Sequence, residues 1–467
     1  MGNSRIGNRA RKLLVVLASV ALVVVTSSSA GAITWKKDGS GNIAVPASNG
    51  CPTIETPPAF SAWFNIDDME KRGYWDGKDP EPWDFYKKLA QVVCGAAQNA
   101  HIDVGMYFAR GLGTMKDNML GARPETDPQL VWDAMKWLNK NRNVTIGFVM
   151  EGNKLRMTDA DKANFAKAIK GWATVRYCRG GCMNTSSAFP EAVNHEKFIS
   201  ISDTVWAGDK GKPKHPAVLS ASGNLARSQL RWYHQEISLI YDDHELARQF
   251  AGRYDDMNYC AKTKCSSGKG FSGTTKLKKQ RGIWVDSFYR HYTDAGRGTT
   301  VSFSPQPKTA DDFYIQQFDG VDCAVDKTVR IAMFKLTESK AQRMADSLKR
   351  LKSRGCDIDL LLTAEGGTLK ISPKVVRILS KAKIPTQCVA IATHTKMILI
   401  GPGRTNEGRA LVGTTNMSTA GLRYNEDHVL TFDTRRASTK YVESMRRLYS
   451  DYMNGWYEMS RNTRSCK

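Results

Sequence analysis

The chain has 467 residues and carries 68 lysine and arginine residues against 46 aspartate and glutamate residues, a formal net charge of +22. Such a charge favours anionic partners, namely nucleic acid, anionic lipid surfaces or phosphorylated substrates, and does not choose among them. The length is ample for two hydrophobic cores, and no apolar stretch after residue 32 is long enough to span a bilayer. We therefore expect a globular protein rather than an integral membrane protein.

The first 32 residues have the pattern of a secretory signal peptide. Four basic residues precede an uncharged run at residues 13–25, and Ala30-Gly31-Ala32 is an A-x-A cleavage pattern. The run is shorter than the roughly 20 residues of a membrane-spanning helix. We predict a secreted protein whose mature chain begins near Ile33. Subtracting the four basic residues from +22 leaves a charge of +18 for that chain.

All ten cysteines follow the predicted signal peptide. Export permits disulfides, and close spacing makes Cys178–Cys182 and Cys260–Cys265 candidate local loops, with the remaining connectivity open. The chain contains no CxxC sequence, so zinc is the weaker interpretation. We predict disulfides and no metal site.

After the signal peptide, the predicted elements come in the same order twice, which is typical of a duplication. In the first half a strand, a helix and a second strand are predicted at residues 101–108, 128–139 and 144–150. In the second half the corresponding elements are predicted at residues 329–334, 339–353 and 357–363. Strands that alternate with helices predict βαβ units and a largely parallel sheet.

Each half then reaches an HxK sequence on a predicted strand, at His195-Glu196-Lys197 and at His394-Thr395-Lys396. Alternate side chains of a strand share a face, so each histidine is expected beside its lysine. A small polar turn follows each copy and ends in Asn224 or Asn416. Acid-bearing strands then begin at Glu236 and Asp427, and similar helices close both halves.

The repeat predicts two lobes, at residues 33–265 and 301–467. Residues 266–300 are expected to connect them, because this segment begins with a stretch rich in glycine, serine and lysine.

Two histidines in matching places suit the cleavage of a phosphodiester. One neutral imidazole can attack phosphorus while a second, protonated imidazole gives a proton to the leaving group. The lysines can neutralise the phosphoryl oxygens, and a carboxylate bonded to an imidazole fixes its tautomer. This scheme requires no metal and no cofactor. The candidate catalytic residues are His195, Lys197, Asn224, Glu236, His394, Lys396, Asn416 and Asp427.

A single HxK match is a weak signal, because a lone histidine on a strand is usually a packed or surface residue. Two copies with the same following elements favour the catalytic interpretation. The pair resembles the phospholipase D superfamily, whose motif is HxKxxxxD followed by GSxN. The resemblance implies an α/β fold of two homologous α/β/α lobes related by a pseudo-twofold, with one active site at their interface. It also implies a phosphohistidine intermediate, with His195 as nucleophile and His394 as general acid, or the reverse.

The chain departs from the superfamily motif at its aspartate. The motif places that residue at positions 202 and 401, where this chain has Ser202 and Gly401. Asp203 is one place late and is expected on the opposite face of the strand unless a bulge shifts it. The glycine before the motif serine is Ala221 in the first copy and Gly413 in the second.

Three functions are consistent with these residues. The first is a secreted phospholipase D that releases phosphatidate or exchanges the headgroup with an alcohol (transphosphatidylation). The second is a secreted nuclease, which the positive charge favours. The third is a non-catalytic protein that binds anions or lipids, against which both complete HxK sets argue. Because one chain supplies both repeats, we expect a monomer that acts on phospholipid, with nucleic acid as the alternative substrate.

Overall fold

A computed structural model describes residues 33–44, 50–52, 54–66, 83–109, 127–152, 157–183, 192–209, 215–226, 234–263, 277–280, 283–285, 291–294, 296–306, 312–363, 371–390, 393–403 and 406–466. The predicted signal peptide, Cys265 and much of the predicted connecting segment lie outside these ranges. Among the helices so described, none is long and apolar enough to cross a membrane.

The first half of the chain forms a seven-stranded sheet. Its strands are β1 (Phe60–Phe64), β2 (His101–Met106), β3 (Thr145–Glu151), β4 (Thr174–Cys178), β5 (Lys197–Thr204), β6 (His215–Ala221) and β7 (Glu236–Tyr241). Their spatial order is β1-β7-β6-β5-β2-β3-β4. Every residue of β7 is buried, as expected of an apolar strand covered on both faces.

The second half forms a nine-stranded sheet. A separate two-stranded pair, β8 (Leu277–Gln280) and β9 (Ile283–Val285), precedes it. The strands of the large sheet are β10 (His291–Asp294), β11 (Thr299–Ser304), β12 (Thr328–Met333), β13 (Asp357–Thr363), β14 (Thr386–Val389), β15 (Lys396–Gly401), β16 (Arg409–Gly413), β17 (Asp427–Asp433) and β18 (Thr463–Arg464). Their order is β10-β11-β17-β16-β15-β12-β13-β14-β18.

The two sheets repeat one strand order and one set of strand directions. In each, three strands are parallel (β2-β3-β4 and β12-β13-β14), and the next three are antiparallel (β5-β6-β7 and β15-β16-β17). The prediction of a largely parallel sheet is therefore wrong. Helices follow β2 and β3 in the first half and β12 and β13 in the second, as expected of parallel neighbours, whereas the strands that follow pair antiparallel.

Helices cover both sheets. They are α1 (Asp84–Val93), α2 (Asp127–Arg142), α3 (Asp159–Ile169), α4 (His244–Thr263), α5 (Phe313–Asp319), α6 (Glu338–Ser353), α7 (Pro373–Lys381), α8 (Thr419–Arg423) and α9 (Val442–Arg461). Their ends follow local chemistry. The Thr158 hydroxyl accepts a hydrogen bond from the Asp161 amide, and the Asp161 carboxylate accepts one from the Thr158 amide, which is a capping box.

Three apolar clusters arrange these layers. One packs α1, α2 and α3 on the first sheet, and another packs α5, α6 and α7 on the second. The third joins the two halves and contains residues of both sheets together with α4 and α9. Phe250 of α4 lies at its centre, with its ring centroid 5.0 Å from that of Phe198 and 5.2 Å from that of Phe303. The α/β architecture with helices on the sheets agrees with the predicted fold class.

Disulfides join the cysteines as predicted for an exported chain. The structure contains Cys178–Cys182, as expected from the spacing, together with Cys51–Cys94, Cys323–Cys356 and Cys388–Cys466. Cys260 is also disulfide-bonded. Among the described residues no cysteine is free.

Gly413 occupies a position that other residues cannot adopt without strain. Its φ is +146°, and a Cβ atom there would lie 2.4 Å from the His428 carbonyl oxygen. We predict that Gly413→Ala destabilises the protein by about 1–3 kcal/mol, because φ strain and the backbone clash add. Urea unfolding measures this change. Gly320→Ala is the control, since φ is −82° and its nearest contact is at 3.4 Å. An equal loss in both variants would contradict the prediction.

Candidate active site

Each HxK sequence lies where the parallel strands of its sheet end. β5 begins at Lys197, which pairs with Met106 at the end of β2, and β15 begins at Lys396, which pairs with Met333 at the end of β12. His195 and His394 therefore stand just before their strands rather than within them. This is the carboxyl edge of both parallel strand sets, where side chains from several connections meet.

Backbone hydrogen bonds join each HxK sequence to the other half of the chain. His195 N donates to the Glu426 carbonyl at 2.8 Å, and His394 N donates to the His234 carbonyl at 2.9 Å. Glu426 immediately precedes β17, and His234 lies two residues before β7. The structure thus carries each histidine to the edge of the opposite acid-bearing strand.

The side chain of His195 pairs with an acid from the second half. Its Nδ1 lies 2.7 Å from Asp427 Oδ1, and the carboxylate is fully buried. Because a carboxylate only accepts, Nδ1 carries the proton and Nε2 is left with its lone pair. His195 therefore has the tautomer that a nucleophile needs.

His394 faces a backbone carbonyl instead of an acid. Its Nδ1 lies 2.6 Å from the Ser222 carbonyl oxygen, which belongs to the turn that follows β6. Nδ1 also lies 2.9 Å from Lys396 Nζ, so both contacts fall on this nitrogen, and Nε2 is the ring atom left to exchange a proton with substrate. The two histidines differ in the charge of their partners.

The lysines are buried beside their histidines. Lys197 Nζ donates to the His195 carbonyl at 2.6 Å, and Lys396 Nζ donates to the His394 carbonyl at 2.5 Å and to the Ser222 carbonyl at 3.2 Å. The predicted proximity of His and Lys in each motif is present in the structure.

The two asparagines lie close to this edge and differ in their bonding. Asn224 Oδ1 accepts from the Phe108 amide at 3.4 Å. Asn416 is 7% exposed, and its Oδ1 has no hydrogen-bond partner among the described residues.

Glu236 and Asp427 do not occupy matching positions. The Ser222 amide donates to the Glu236 carbonyl, and the Thr414 amide donates to that of His428, so Glu236 matches His428 and Gln235 matches Asp427. Glu236 Oε2 accepts from the Thr395 hydroxyl at 2.8 Å. The sequence contains the signal for this offset, because Glu236 is 12 residues after Asn224 whereas Asp427 is 11 residues after Asn416.

Sequence reasoning missed an aromatic residue beside each histidine. The Tyr107 ring lies 5.3 Å from the His195 ring, and the Phe334 ring lies 4.3 Å from the His394 ring. Both aromatics directly follow a matching strand, β2 or β12. The dipeptides Met-Tyr and Met-Phe at these strand ends were the available signal.

Burial and mutual repulsion disfavour positive charge on the histidines and lysines. Burial, and after it the charges of Lys197 and Lys396, lower the pKa of His195 well below 6.5. Burial, Lys396, Lys197 and His195 act in the same direction on the pKa of His394. Each histidine thus feels the lysine of the other motif, as expected if both line one site. Burial lowers the pKa of Lys197 to about 7 and raises that of Asp427 to about 7.

These shifts predict a basic limb of kcat/KM no higher than about pH 7. A base with a lowered pKa loses its proton at lower pH, so Lys197 discharges as the pH rises through about 7, and His394 discharges at a pH well below 6.5. We expect kcat/KM, which reports the free enzyme, to fall over this range. An anionic substrate favours the protonated forms of His394 and Lys197, so the basic limb of kcat should lie at higher pH than that of kcat/KM. Initial rates across pH with a soluble diester test this, and a basic limb of kcat/KM near the ordinary lysine pKa would contradict it.

No metal-binding group was found at this edge or elsewhere in the described ranges, where clusters of His, Cys, Asp and Glu with ligand geometry are absent. The chemistry available is that of two imidazoles, two ammonium groups and one paired carboxylate.

A family model described as cardiolipin synthase, PLD-like domain, matches residues 322–449. Residues 322–449 of this chain therefore resemble a PLD-like domain. The match covers the second HxK sequence and Asp427. A search of the curated proteins found no match.

Solved structures align with this chain at low sequence identity. Phosphatidylserine synthase from Haemophilus influenzae has 11% identity and a TM-score of 0.50, with 88% of each chain covered. Nuc from Salmonella typhimurium, titled a phospholipase D family member, has 16% identity and a TM-score of 0.27 over 36% of this chain and 95% of its own. Polyphosphate kinase from Porphyromonas gingivalis has 9% identity and a TM-score of 0.43 over 80% of this chain, which spans only 47% of the kinase.

The structure explains why the phospholipase D motif lacks its aspartates here. A Cβ atom at Gly401 would lie 2.6 Å from the Glu407 carbonyl oxygen and from the Tyr449 hydroxyl, so an aspartate does not fit. In the first copy the strand register shifts between Ile201 and Thr204, and Asp203 accepts a hydrogen bond from the Ser202 hydroxyl at 3.2 Å. Both positions lie at the far end of their strands from the histidines.

Proposed function

We propose that this protein is a secreted phospholipase D, which cleaves phospholipid headgroups to phosphatidate through a phosphohistidine on His195. The pairing of the His195 imidazole with the buried Asp427 carboxylate is the observation that carries the proposal. It gives one histidine an acidic partner suited to a nucleophile, while His394 has a neutral partner suited to proton transfer.

In the first step, neutral His195 Nε2 attacks phosphorus. Positive charge then develops on the imidazole, and the Asp427 carboxylate stabilises it through Nδ1. The bond from phosphorus to the headgroup oxygen breaks, and that oxygen takes a proton from His394 Nε2. The products are the free headgroup alcohol and a phosphatidyl group joined to His195.

In the second step, water or an alcohol attacks the same phosphorus. Neutral His394 accepts the proton of the attacking hydroxyl, and the bond from phosphorus to His195 Nε2 breaks. Water yields phosphatidate, whereas an alcohol yields a new phospholipid by transphosphatidylation. Both histidines return to their starting protonation states.

Lys197 and Lys396 stabilise the phosphoryl oxygens in both steps. An isolated ammonium group is costly to bury, and burial lowers the pKa of each lysine. A phosphodiester brings a negative charge that offsets this cost. The site is therefore suited to an anionic phosphoryl group rather than to a neutral ester.

Three observations favour lipid as the substrate. The matching family model carries the name of cardiolipin synthase, an enzyme name that refers to a phospholipid. One chain supplies both HxK sequences, and its net charge of +22 suits an anionic lipid surface. The disulfides are consistent with action outside the cell. The same charge favours a nuclease as the alternative.

The test is release of choline and phosphatidate from phosphatidylcholine vesicles in the presence of a chelator. We compare the wild type with His195→Ala, His394→Ala and the control His244→Ala, whose side chain is 67% exposed. Release by the wild type and the control, with none by the two site variants, is the expected result. Release by either site variant would contradict the proposed roles.

Absence of release by folded wild type would overturn the lipid assignment. The same proteins are then tested on single-stranded DNA and on vesicles of other headgroups. Cleavage of DNA that requires both histidines would establish the nuclease. Binding without cleavage of any diester would establish the non-catalytic alternative.

A further inference from the structure

A second set of buried charges lies directly beside the His195–Asp427 pair. Glu196 follows His195 in the sequence, and His428 follows Asp427. His428 Nδ1 donates to Glu196 Oε2 at 2.5 Å. Both side chains are fully buried. Two consecutive residues of one half therefore pair with two consecutive residues of the other.

The set extends beyond this pair. Arg253 Nε on α4 donates to Glu196 Oε1 at 2.8 Å, and its Nη2 donates to the Ser304 carbonyl. On the other side, His428 Nε2 lies 2.7 Å from the Ser220 hydroxyl. We call Arg253, Glu196, His428 and Ser220 the cross-sheet network. It links α4, β6, β17 and the HxK segment, so it joins the two sheets at one point.

Glu196 carries a negative charge within this network. Burial by itself raises the pKa of a carboxyl group, but Arg253 and His428 together lower the pKa of Glu196 below 4.5. The carboxylate is therefore ionised at neutral pH and is close enough to the reacting pair to act on both members. Its charge raises the pKa of His195 and that of Asp427.

The matching place in the other half has no such network. Thr395 corresponds to Glu196, and Glu236 corresponds to His428, and these two form one hydrogen bond of 2.8 Å. A neutral hydroxyl thus stands beside His394 where a carboxylate stands beside His195.

We infer that Glu196 is a positioning residue of the site, which holds Asp427 on His195 through His428 and stabilises the cationic imidazole formed when His195 attacks phosphorus. The inference rests on the proposed function in assigning the attack to His195. Because adjacent residues share a backbone, a displacement of His428 also displaces Asp427. The charge of Glu196 acts with that of Asp427, and both oppose Lys197 and Lys396.

The charged groups that face His195 and Glu196 come from several elements. They are Lys197, Lys396, His394 and Asp427 around His195, and Arg253 and His428 around Glu196, with Glu426 and Glu151 on the far side of Arg253. Glu196→Gln removes one negative charge from this set while keeping the size of the side chain. We expect kcat/KM to fall by about tenfold to a hundredfold, the usual range for the outer partner of an active-site group.

The pH dependence distinguishes positioning from a merely structural role. Without the Glu196 charge the pKa of His195 falls, so the acid limb of kcat/KM moves to lower pH in Glu196→Gln. Glu196→Asp keeps the charge and should keep the limb. The matched control is Asp326→Asn, another buried carboxylate, which pairs with Arg435 at 2.7 Å beside the start of β12, away from His394. The control should leave the limb unchanged.

A measurement without substrate separates this inference from the proposed function. The imidazole of His195 is followed by NMR across pH in the wild type and in Glu196→Gln, with its signal assigned by loss in His195→Asn. A lower titration midpoint in the variant supports the inference, whatever diester the enzyme cleaves. If Glu196→Gln shows the lower midpoint but the wild type cleaves no diester, the proposed function is refuted and the inference about Glu196 is not.

A double variant tests the inference if Glu196→Gln does not fold. The single change leaves Arg253 buried without its carboxylate, which is costly. Glu196→Gln combined with Arg253→Gln removes that unpaired cation together with the Glu196 carboxylate, while Glu426, which also faces Arg253, keeps its hydrogen bonds from the Cys182 and Met183 amides. An unchanged His195 titration and an unchanged acid limb, in the single variant or in this pair, would overturn the inference. So would reduced activity with an unaltered pH profile.

Discussion

His394→Asn is expected to trap a phosphatidyl group on His195 when the substrate carries a p-nitrophenyl leaving group. Nitrophenolate departs without a proton, so loss of the general acid does not prevent attack by His195. Hydrolysis of the intermediate still needs His394 to accept a proton from water, and it becomes slow. The expected result is a burst of one equivalent of nitrophenolate per enzyme, followed by turnover reduced by about 10⁴-fold.

His195→Asn is the matched variant and should show no burst, because it lacks the nucleophile. Mass spectrometry of the quenched His394→Asn protein identifies the modified residue. Label on His195 supports the proposed roles. A burst in His195→Asn and none in His394→Asn would reverse them, and a burst in neither would contradict a covalent intermediate.

Asp427→Asn is expected to reduce kcat by about 10²–10⁴-fold, although it preserves the shape of the side chain. The carboxylate accepts the Nδ1 proton of His195 at 2.7 Å, whereas an amide can donate to Nδ1 and so favours the opposite tautomer. Nε2 then carries the proton and cannot attack phosphorus. The loss should appear in the size and rate of the burst as well as in steady-state turnover.

Glu236→Gln is the comparison, because Glu236 and Asp427 are the first residues of the corresponding strands β7 and β17. Glu236 accepts from the Thr395 hydroxyl, and a glutamine oxygen can do the same. Its loss should be about tenfold at most, as expected for one altered hydrogen bond. Equal losses in the two variants would show that Glu236 also orients a catalytic histidine.

Several elements of the fold could be predicted from local pattern. The strands at residues 357–363 and 427–433 have the bounds expected from their apolar runs, and the predicted helix at 339–353 differs by one residue at its start. The order of elements also indicated the duplication. Strand direction was predicted wrongly for β5, β6 and β7 and for β15, β16 and β17, because periodicity identifies a strand but not the neighbour with which it pairs.

The sequence by itself determined the set of candidate catalytic side chains, since two HxK copies followed by asparagine and acid-bearing strands are visible without coordinates. It also determined the chemical class that such a set can serve. Only the tertiary structure decided which acid meets which histidine. His195 and Asp427 are separated by 232 positions and come from different halves of the chain, so their contact depends on how the two sheets pack. The same packing brings Glu196 to His428. The strand register also makes Gln235, rather than Glu236, the residue of the first half that is equivalent to Asp427, and side-chain contacts between distant segments follow from this register.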